Sequence, residues 1–257
     1  MNKVAGSAAE AVADIPSGAS LAVGGFGLAG IPWILIEALL EQGASDLTIV
    51  SNNCGVDGAG LGLLLEQRRI SRVIASYVGE NKEFARQYLA GELQVELTPQ
   101  GTLAERLRAG GAGIGAFFTP TGVGTIVSEG GLPWRYDADG TVAAASPRKE
   151  VRAFLGREMV LEESIVTDYA LVRAAVADPL GNARFHASAQ NFNPAAAMAG
   201  RVTVVETERL VGVGEIAPDD VHLPGVFVRR VVELTPEQAR RKDVEKRTVR
   251  PRPGVSD

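Results

Sequence analysis

Short apolar runs alternate with amphipathic stretches through the first hundred residues or so of the chain, and turns rich in Gly, Asn or Pro separate them. The apolar runs predict β-strands, and the stretches with helical spacing predict helices. The predicted strands cover residues 20–23, 47–50, 72–77 and 94–97, and the predicted helices cover residues 34–40, 83–89 and 103–108. Strands that alternate with helices are typical of a parallel sheet covered by helices. The pattern therefore predicts an open three-layer α/β/α fold with a largely parallel sheet.

The later part of the chain carries weaker signals. Thr102 and Glu105 have the spacing of a capping box, which places "TPQG" in a turn between a strand and a helix. Residues 110–140 are rich in glycine and predict a loop-rich flap, whose polar hairpin "WRYDADGTVAAA" turns at Asp139-Gly140. Two more strands are predicted in "YALVRAAVA" and "RVTVVE". The segment between them, "GNARFHASAQNFNPAAAMAG", predicts a turn and a short helix.

The composition supports a folded α/β chain and narrows the choice of partners. The 257 residues are 46% hydrophobic and 22% charged, which allows a large buried core. The net charge of -5 excludes a broad basic surface and argues against nucleic acid as a partner. Basic residues concentrate only near the end. We therefore expect one domain over residues 1–235 and a basic tail, solvated or facing a partner, over residues 236–257.

Cysteine and histidine are scarce. Cys54 is the single cysteine, which excludes an internal disulfide, and with two histidines it makes a poor inventory for zinc. No metal site is predicted, and a reducing cytoplasmic setting fits best. Residues 15–36 and 109–128 lack charge, but they hold too many glycines and prolines for a membrane-spanning helix. The first residues lack the apolar core of a signal peptide.

The first predicted strand runs into a glycine-rich segment, "VGGFGLAGIP", in which Gly25, Gly27 and Gly30 have the G-x-G-x-x-G spacing of dinucleotide-binding folds. NAD binding would also require an acidic residue at the end of the second strand. That strand ends in "SNN", and Asp46 precedes it, at the wrong edge of the sheet. Three interpretations remain open: a cradle for NAD, a tight turn with no ligand, or backbone N–H groups beside a helix N-terminus that bind an anion or a polarised carbonyl.

Polar side chains follow the other predicted strands. In open α/β sheets, ligands bind beyond the carboxyl ends of the strands. There the sequence places Asn52, Asn53, Tyr77 and Gln100. These side chains donate hydrogen bonds to oxygen without being basic or strongly nucleophilic. Such a set is expected of a site that stabilises a developing oxyanion.

An activated nucleophile is harder to find in the sequence. Cys54 has no histidine near it along the chain, so we expect a small packed residue. We interpret Glu80 as an exposed acid in the turn before Asn81, which would cap the next helix. His186 has no second ligand at metal spacing, and a structural role is expected.

Three segments together resemble one protein family. They are "VGGFGLAGIP", "VSNNCGVDGAGLGLLL" and "SYVGENKEFARQYLAGELQVELTPQGTLAERLRAGGAG". They are similar to segments of the A subunits of the family I CoA-transferases, above all in the succinyl-CoA:3-oxoacid branch, and the likeness runs from about residue 2 to residue 233. The resemblance implies a CoA-transferase-like fold. It also implies a double displacement in which an acyl-CoA such as succinyl-CoA reacts with a free acid, a 3-oxoacid such as acetoacetate. Coenzyme A would be part of the substrate, with no permanently bound cofactor.

The resemblance also implies site residues and a partner. Gln100 is expected to donate to the thioester oxyanion, Asn52 and Asn53 to orient acyl oxygens, and Tyr77 to line the pocket. A glycine turn would face CoA, and it consists of Gly24, Gly25, Phe26, Gly27, Leu28, Ala29 and Gly30. The nucleophilic glutamate of this family lies on a B subunit, in an S-E-N-G-type segment. The chain is therefore expected to be inactive alone and to form a heterotetramer of two A and two B subunits.

Two positions depart from the family pattern. "SAQNFN" stands where the family has S-A-R-N-F-N, so Gln190 puts in doubt any contact assigned to that arginine. Ser17 replaces the usual Asp or Asn, which we interpret as a minor change in a turn. The alternatives are the corresponding subunit of an acetate/butyrate or 3-oxoadipate CoA-transferase, and a sugar-phosphate isomerase or sugar-sensing module on the same fold. An isomerase needs an acid/base carboxylate and a phosphate-binding lysine at the strand ends, which the sequence does not place there.

Overall fold

The computed structural model describes residues 2–242, which form fourteen strands and eight helices. The strands are β1 (Ser20–Val23), β2 (Leu47–Val50), β3 (Ile70–Ala75), β4 (Gln94–Leu97), β5 (Ala116–Thr119), β6 (Pro133–Tyr136), β7 (Val142–Ala145), β8 (Val151–Phe154), β9 (Arg157–Glu163), β10 (Thr167–Ala174), β11 (Val176–Ala177), β12 (Ala183–Arg184), β13 (Gly200–Thr207) and β14 (Arg230–Glu233). The helices are α1 (Ala8–Val12), α2 (Trp33–Gln42), α3 (Gly62–Glu66), α4 (Lys82–Leu89), α5 (Gln100–Gly111), α6 (Ile126–Glu129), α7 (Asn193–Ala199) and α8 (Pro236–Arg240). Short 3-10 turns lie at Ala187–Gln190, Pro218–Asp220 and Gly225–Phe227.

A seven-stranded sheet forms the centre of the molecule, in the order β14-β13-β10-β1-β2-β3-β4. Every neighbouring pair in it is parallel. Ala22 of β1 lies level with Val50 of β2 and Ala170 of β10, so the carboxyl ends of the central strands meet at one edge. The strand order reverses between β1 and β10, where the chain returns to the middle of the sheet.

Alternating side chains of each strand feed two hydrophobic cores, one on each face of the sheet. Leu21 and Val23 of β1 pack on one face with helices α1 to α4, whereas Ala22 faces α5 and α7 on the other. The alanines of α7 are largely buried, and small side chains let this helix approach the sheet closely. The three-layer α/β/α fold with a parallel sheet is thereby confirmed.

Most predicted elements of the sheet are confirmed. β1, β2 and β4 have the predicted bounds, and the strands in "YALVRAAVA" and "RVTVVE" correspond to β10 and β13. β3 lies two residues earlier than predicted, because Ile70 pairs with Leu47 and the chain turns outward beyond Ser76 towards Gly79, which has a φ of 73°. The segment between β10 and β13 holds the expected turn and the short helix α7.

The predicted capping box at Thr102 is wrong. Helix α5 begins at Gln100, directly after Pro99, so Thr102 already lies inside the helix. Its hydroxyl is buried and has no hydrogen-bond partner among residues 2–242. Glu105 instead pairs with Arg108 at 2.6 Å on the helix surface. The fixed φ of proline suits a helix start, and here it places the helix end at the pocket described below.

A smaller antiparallel region packs beside β4 and α4. The predicted hairpin is confirmed as β6 and β7, which turn through Asp139-Gly140, and a second sheet has the order β5-β9-β8. Tyr88 of α4 donates to the carbonyl of Pro133 at 2.6 Å and fixes the hairpin to the main domain. The flap predicted for residues 110–140 therefore contains β5, α6 and half of this hairpin.

The basic tail is described only as far as Lys242. Arg241 pairs with Glu37 at 2.6 Å and stacks over Trp33, and Lys242 pairs with Glu208 at 2.9 Å. Residues 243–257 lie outside the described residues, so the expected role of the tail and the division at residue 235 stay predictions. Within residues 2–242, no helix has both the length and the apolar character needed to cross a membrane.

Candidate active site

A pocket of about 470 Å³ lies where β1, β2 and β3 end and α5 begins. We call it the strand-end pocket, and it is lined by Phe26, Gly27, Asn52, Asn53, Gly55, Val56, Ser76, Tyr77, Gly79, Glu80 and Gln100. Parallel strands bring their carboxyl ends to the same edge of the sheet, which explains why residues so distant in sequence meet here. The predicted site residues Asn52, Asn53, Tyr77 and Gln100 all lie in this one pocket.

The glycine turn forms one wall through Phe26 and Gly27. The backbone N–H groups of Phe26 and Ala29 each donate to the other residue's carbonyl at 3.0 Å, which closes a tight turn. Gly27 occupies its outer corner with a φ of 61° and open space around it. Phe26 is 49% exposed, so its ring stands at the pocket mouth.

The other glycines of this turn serve packing behind the pocket. A Cβ on Gly24 would lie 2.0 Å from the Asn193 side-chain oxygen, and one on Gly25 would lie 2.3 Å from Ile31. Leu28 is buried against Ile31 and Trp33. Gly24, Gly25, Leu28, Ala29 and Gly30 do not line the pocket, so the expected CoA-facing surface reduces to Phe26 and Gly27.

A chain of amide hydrogen bonds runs across the floor of the pocket. Gln100 Nε2 donates to Asn52 Oδ1 at 2.7 Å, and Asn52 Nδ2 donates to Asn53 Oδ1 at 3.3 Å. Asn53 Oδ1 also accepts from the Gly27 backbone N–H at 3.0 Å. Ser76 Oγ donates to Asn52 Oδ1 at 2.9 Å, and the sequence pattern did not single out this serine. These bonds hold the ends of three strands and the start of α5 in fixed relative positions.

Gln100 combines a fixed side chain with access to solvent. Its residue is exposed, whereas Asn52 is only 2% exposed. A side-chain amide carries two N–H donors, and the bond to Asn52 uses one of them. Asn53 is also buried, and its Nδ2 donates to Gly55 O at 3.2 Å, so its bonds hold the neighbouring turns. The roles predicted for Gln100, Asn52 and Asn53 stay predictions.

Glu80 is the one carboxylate among the lining residues, and it is exposed. Asn81, the next residue, is buried and caps α4 by accepting from Phe84 N at 2.8 Å, as predicted. Tyr77, on the same turn, is 59% exposed. The pocket thus offers amide donors and aromatic surface, and its single acid faces solvent.

The N-terminus of α2, directly after the glycine turn, does not face the pocket with free donors as the third interpretation required. The carboxylate of Glu206 accepts from Ile34 N at 3.0 Å and Leu35 N at 2.9 Å. Arg173 lies 3.5 Å from the same carboxylate. Burial raises the pKa of Glu206 to about 7, against the opposing effects of Arg173 and the two backbone donors. The helix N-terminus therefore binds an internal acid.

The other candidate residues have structural positions. Cys54 is fully buried in the core, and burial raises the pKa of its thiol, as expected of a packed residue. His186 is exposed before the 3-10 turn at Ala187–Gln190. Gln190 is exposed and is not among the lining residues. Asp46 precedes β2, at the opposite edge from the pocket, so the acid that NAD binding requires is not supplied there.

Comparison with known proteins agrees with this geometry. Residues 6–234 match the protein family described as Coenzyme A transferase. The A subunit of the probable succinyl-CoA:3-ketoacid coenzyme A transferase of Mycobacterium tuberculosis (strain ATCC 25618 / H37Rv) is 64% identical over 97% of this chain and 100% of that protein. The protein of the same name in Bacillus subtilis (strain 168) is 52% identical over 100% of this chain and 99% of that protein.

The fold has close relatives among solved structures. The thioester complex of an acyl-CoA transferase from E. coli O157:H7 with CoA superposes with a TM-score of 0.76 at 23% identity, over 92% of this chain and 48% of that chain. At this identity the likeness concerns the fold, which it confirms as CoA-transferase-like. The family match covers the sheet, both helix layers and every residue of the strand-end pocket. The chain belongs to the coenzyme A transferase family.

Proposed function

We propose that this chain is the A subunit of a CoA-transferase that moves coenzyme A from succinyl-CoA to a 3-oxoacid such as acetoacetate, together with a B subunit. The names of the relatives above half identity support this substrate pair and the partner. The observation that carries the proposal is the Gln100–Asn52 amide pair, which lies in an open pocket with no buried acid of its own. Coenzyme A enters as part of the substrate, with no resident cofactor, and the single cysteine suits a cytoplasmic setting.

The pocket is suited to stabilise negative charge on a carbonyl oxygen. When a nucleophile adds to a thioester, the carbonyl oxygen becomes an oxyanion, and a donor already in place strengthens its hydrogen bond at that moment. Gln100 supplies such a donor, and its bond to Asn52 keeps the amide from rotating. Asn52 is itself held by Ser76 and Asn53, so the donor is preorganised by buried groups.

The nucleophile is assigned to a glutamate of the B subunit. Its carboxylate oxygen bonds to the acyl carbon, and the C–S bond breaks with its electron pair leaving on the CoA thiolate. The thiolate then attacks the glutamyl carbonyl of this anhydride and releases the first acid as a carboxylate. The resulting glutamyl-CoA thioester reacts with the second acid by the same steps in reverse. Glu80 is not assigned this role because it is a solvent-exposed turn residue.

The experiment that tests the proposal compares the chain alone with the chain reconstituted with its B subunit. With succinyl-CoA and acetoacetate, the reconstituted complex is expected to form acetoacetyl-CoA with ping-pong kinetics, which indicate a covalent intermediate. The chain alone is expected to show no turnover, and light scattering is expected to give a complex of two A and two B chains. Full activity of the purified chain alone would contradict the proposal, as would an inactive complex.

The same pocket argues against the isomerase alternative. A sugar phosphate requires a cation, yet the lining residues include no lysine or arginine. The acetate/butyrate and 3-oxoadipate branches share the proposed chemistry. The reconstituted complex distinguishes them when acetate, butyrate and 3-oxoadipate are offered as competing acceptors of CoA.

A further inference from the structure

Two asparagines hold the glycine turn from the side away from the pocket. Asn191 Nδ2 donates to Ala29 O at 3.1 Å, and Asn193 Nδ2 donates to Gly30 O at 2.9 Å. Both belong to the "SAQNFN" segment, in which Gln190 departs from the family pattern. We call Asn191 and Asn193 the asparagine clamp.

Asn193 occupies the crevice where the strand order reverses. It is fully buried, accepts from the Arg173 backbone N–H at 3.1 Å, and donates to Ala189 O at 2.8 Å. Gly24 meets it from β1, and a Cβ there would lie 2.0 Å from the Asn193 oxygen. In open α/β sheets this crevice commonly holds a ligand. Here the chain fills it with its own side chain, and the pocket lies between the ends of β1, β2 and β3 instead.

The asparagine clamp connects to Gln100 through consecutive hydrogen bonds. Ala29 O accepts from Asn191 and also from Phe26 N at 3.0 Å, so the clamp fixes the tight turn that carries Gly27. Gly27 N donates to Asn53, and the amide chain continues through Asn52 to Gln100. Every link joins groups whose partners have one stable arrangement, which is the physical requirement for coupling between separate positions.

We infer that Asn191 and Asn193 are positioning residues for the strand-end pocket: they fix the glycine turn, and through it the amide chain that orients Gln100. The inference rests on the proposed function for its kinetic part, whereas the fixing of the turn is a property of the fold. Neither asparagine lines the pocket, so both act through other residues.

Asn191→Ala is the test variant because Asn191 is half-buried, so its loss leaves the core intact. Its matched control is Asn182→Ala. Asn182 is also half-buried and makes two side-chain hydrogen bonds, to Asp178 at 2.8 Å and from Gly225 N at 2.9 Å, far from the pocket. Both variants are made in the full chain and assembled with the B subunit.

Amide hydrogen exchange measures the turn directly. Asn191→Ala is expected to speed exchange in the peptide that contains Phe26 and Ala29 by about tenfold, and Asn182→Ala is expected to leave this peptide unchanged. Gly24→Ala, which presses on Asn193 from the other side, is expected to have the same effect. Its control is Gly115→Ala, where a Cβ meets open space. Unchanged exchange in both Asn191→Ala and Gly24→Ala would overturn the inference, whether or not the complex transfers CoA.

A double-mutant cycle then tests the link to Gln100. Asn191→Ala is expected to lower kcat about tenfold with little change in KM, because a misplaced donor matters most in the transition state. In a Gln100→Ala background the same substitution is expected to change kcat less than twofold, since the group that it positions is gone. Equal losses in both backgrounds, or an equal loss from Asn182→Ala, would contradict the positioning role. If Gln100→Ala itself left kcat unchanged, the role proposed for Gln100 would fail, while hydrogen exchange would still decide the clamp.

Discussion

Replacing Gln100 with alanine separates the catalytic role of this residue from its role in the fold. Removal of one oxyanion donor typically lowers kcat by about 10² to 10³, which corresponds to about 3–4 kcal/mol of transition-state stabilisation. The cost to folding is expected to stay below about 1 kcal/mol, because Gln100 is exposed and its one bond of 2.7 Å goes to an oxygen that keeps another donor. That other donor is Ser76 Oγ, at 2.9 Å from Asn52 Oδ1.

The assay is steady-state turnover of the reconstituted complex, with urea unfolding of the same preparations. Gln42→Ala is the matched control, because Gln42 is an exposed helical glutamine whose amide donates to Ile15 O at 2.9 Å at the far end of α2. It is expected to lose comparable stability and retain turnover. Gln100→Glu keeps the shape but places a negative charge beside the developing oxyanion, so its turnover is expected to be at least as low as that of Gln100→Ala. More than half of the wild-type turnover in Gln100→Ala would refute the reasoning.

Three further substitutions test other parts of the account. Cys54→Ala is expected to cost about 1 kcal/mol of packing and to leave turnover unchanged, because the buried thiol has a raised pKa; loss of turnover in a stable variant would restore the thiol as a candidate nucleophile. Glu206 has a folded pKa of about 7 against an ordinary value of 4.5, so the folded state holds a proton that the unfolded state releases, and the free energy of unfolding is expected to fall as pH rises through this window. Glu206→Gln should flatten that slope, by at most about 1.4 kcal/mol per pH unit, in urea titrations at several pH values, and an unchanged slope would contradict the assignment. Tyr77→Ala is expected to raise KM for the acyl-CoA several-fold without changing Tm, since the ring is 59% exposed at the pocket mouth; an unchanged KM would remove Tyr77 from the substrate surface.

The sequence was sufficient for those parts of the fold in which local pattern and burial coincide. β1, β2 and β4 are buried on both faces and read as apolar runs with sharp turns, so their bounds were predicted from the pattern alone. The polar residues that follow the strands meet because parallel strands share an edge, and this rule was enough to group Asn52, Asn53, Tyr77 and Gln100 in one site. Asn81 was predicted as a cap for the same reason of local chemistry.

The failures arise where long-range packing decides. β8 is exposed along its whole length and is fixed by pairing with β9, so no buried stripe marks it in the sequence. The Thr102 capping box failed because Pro99 starts the helix earlier. The predicted donors at the N-terminus of α2 are taken by Glu206, which lies on a strand much later in the chain. Nothing in the local pattern around residue 206 indicates that its carboxylate reaches that helix.

The site residues that the sequence pattern did not reveal depend on three-dimensional proximity. Ser76 could have been found, because it directly follows β3 at the same sheet edge as Asn52. Asn193 could not, since its contacts with Gly24, Gly30 and Arg173 form only when the chain returns across the sheet. The "SAQNFN" segment stands out in the sequence for its one unusual residue, Gln190, yet its two asparagines make the contacts with the glycine turn.

The most direct test of the account is the position of the covalent intermediate. The reconstituted complex is incubated with succinyl-CoA and treated with borohydride, which reduces a glutamyl thioester to an alcohol, and each chain is digested separately for mass spectrometry. The account predicts a reduced glutamate only on the B subunit, since this chain supplies hydrogen-bond donors and an exposed acid at the pocket. A reduced Glu80, or any reduced glutamate on this chain, would contradict it.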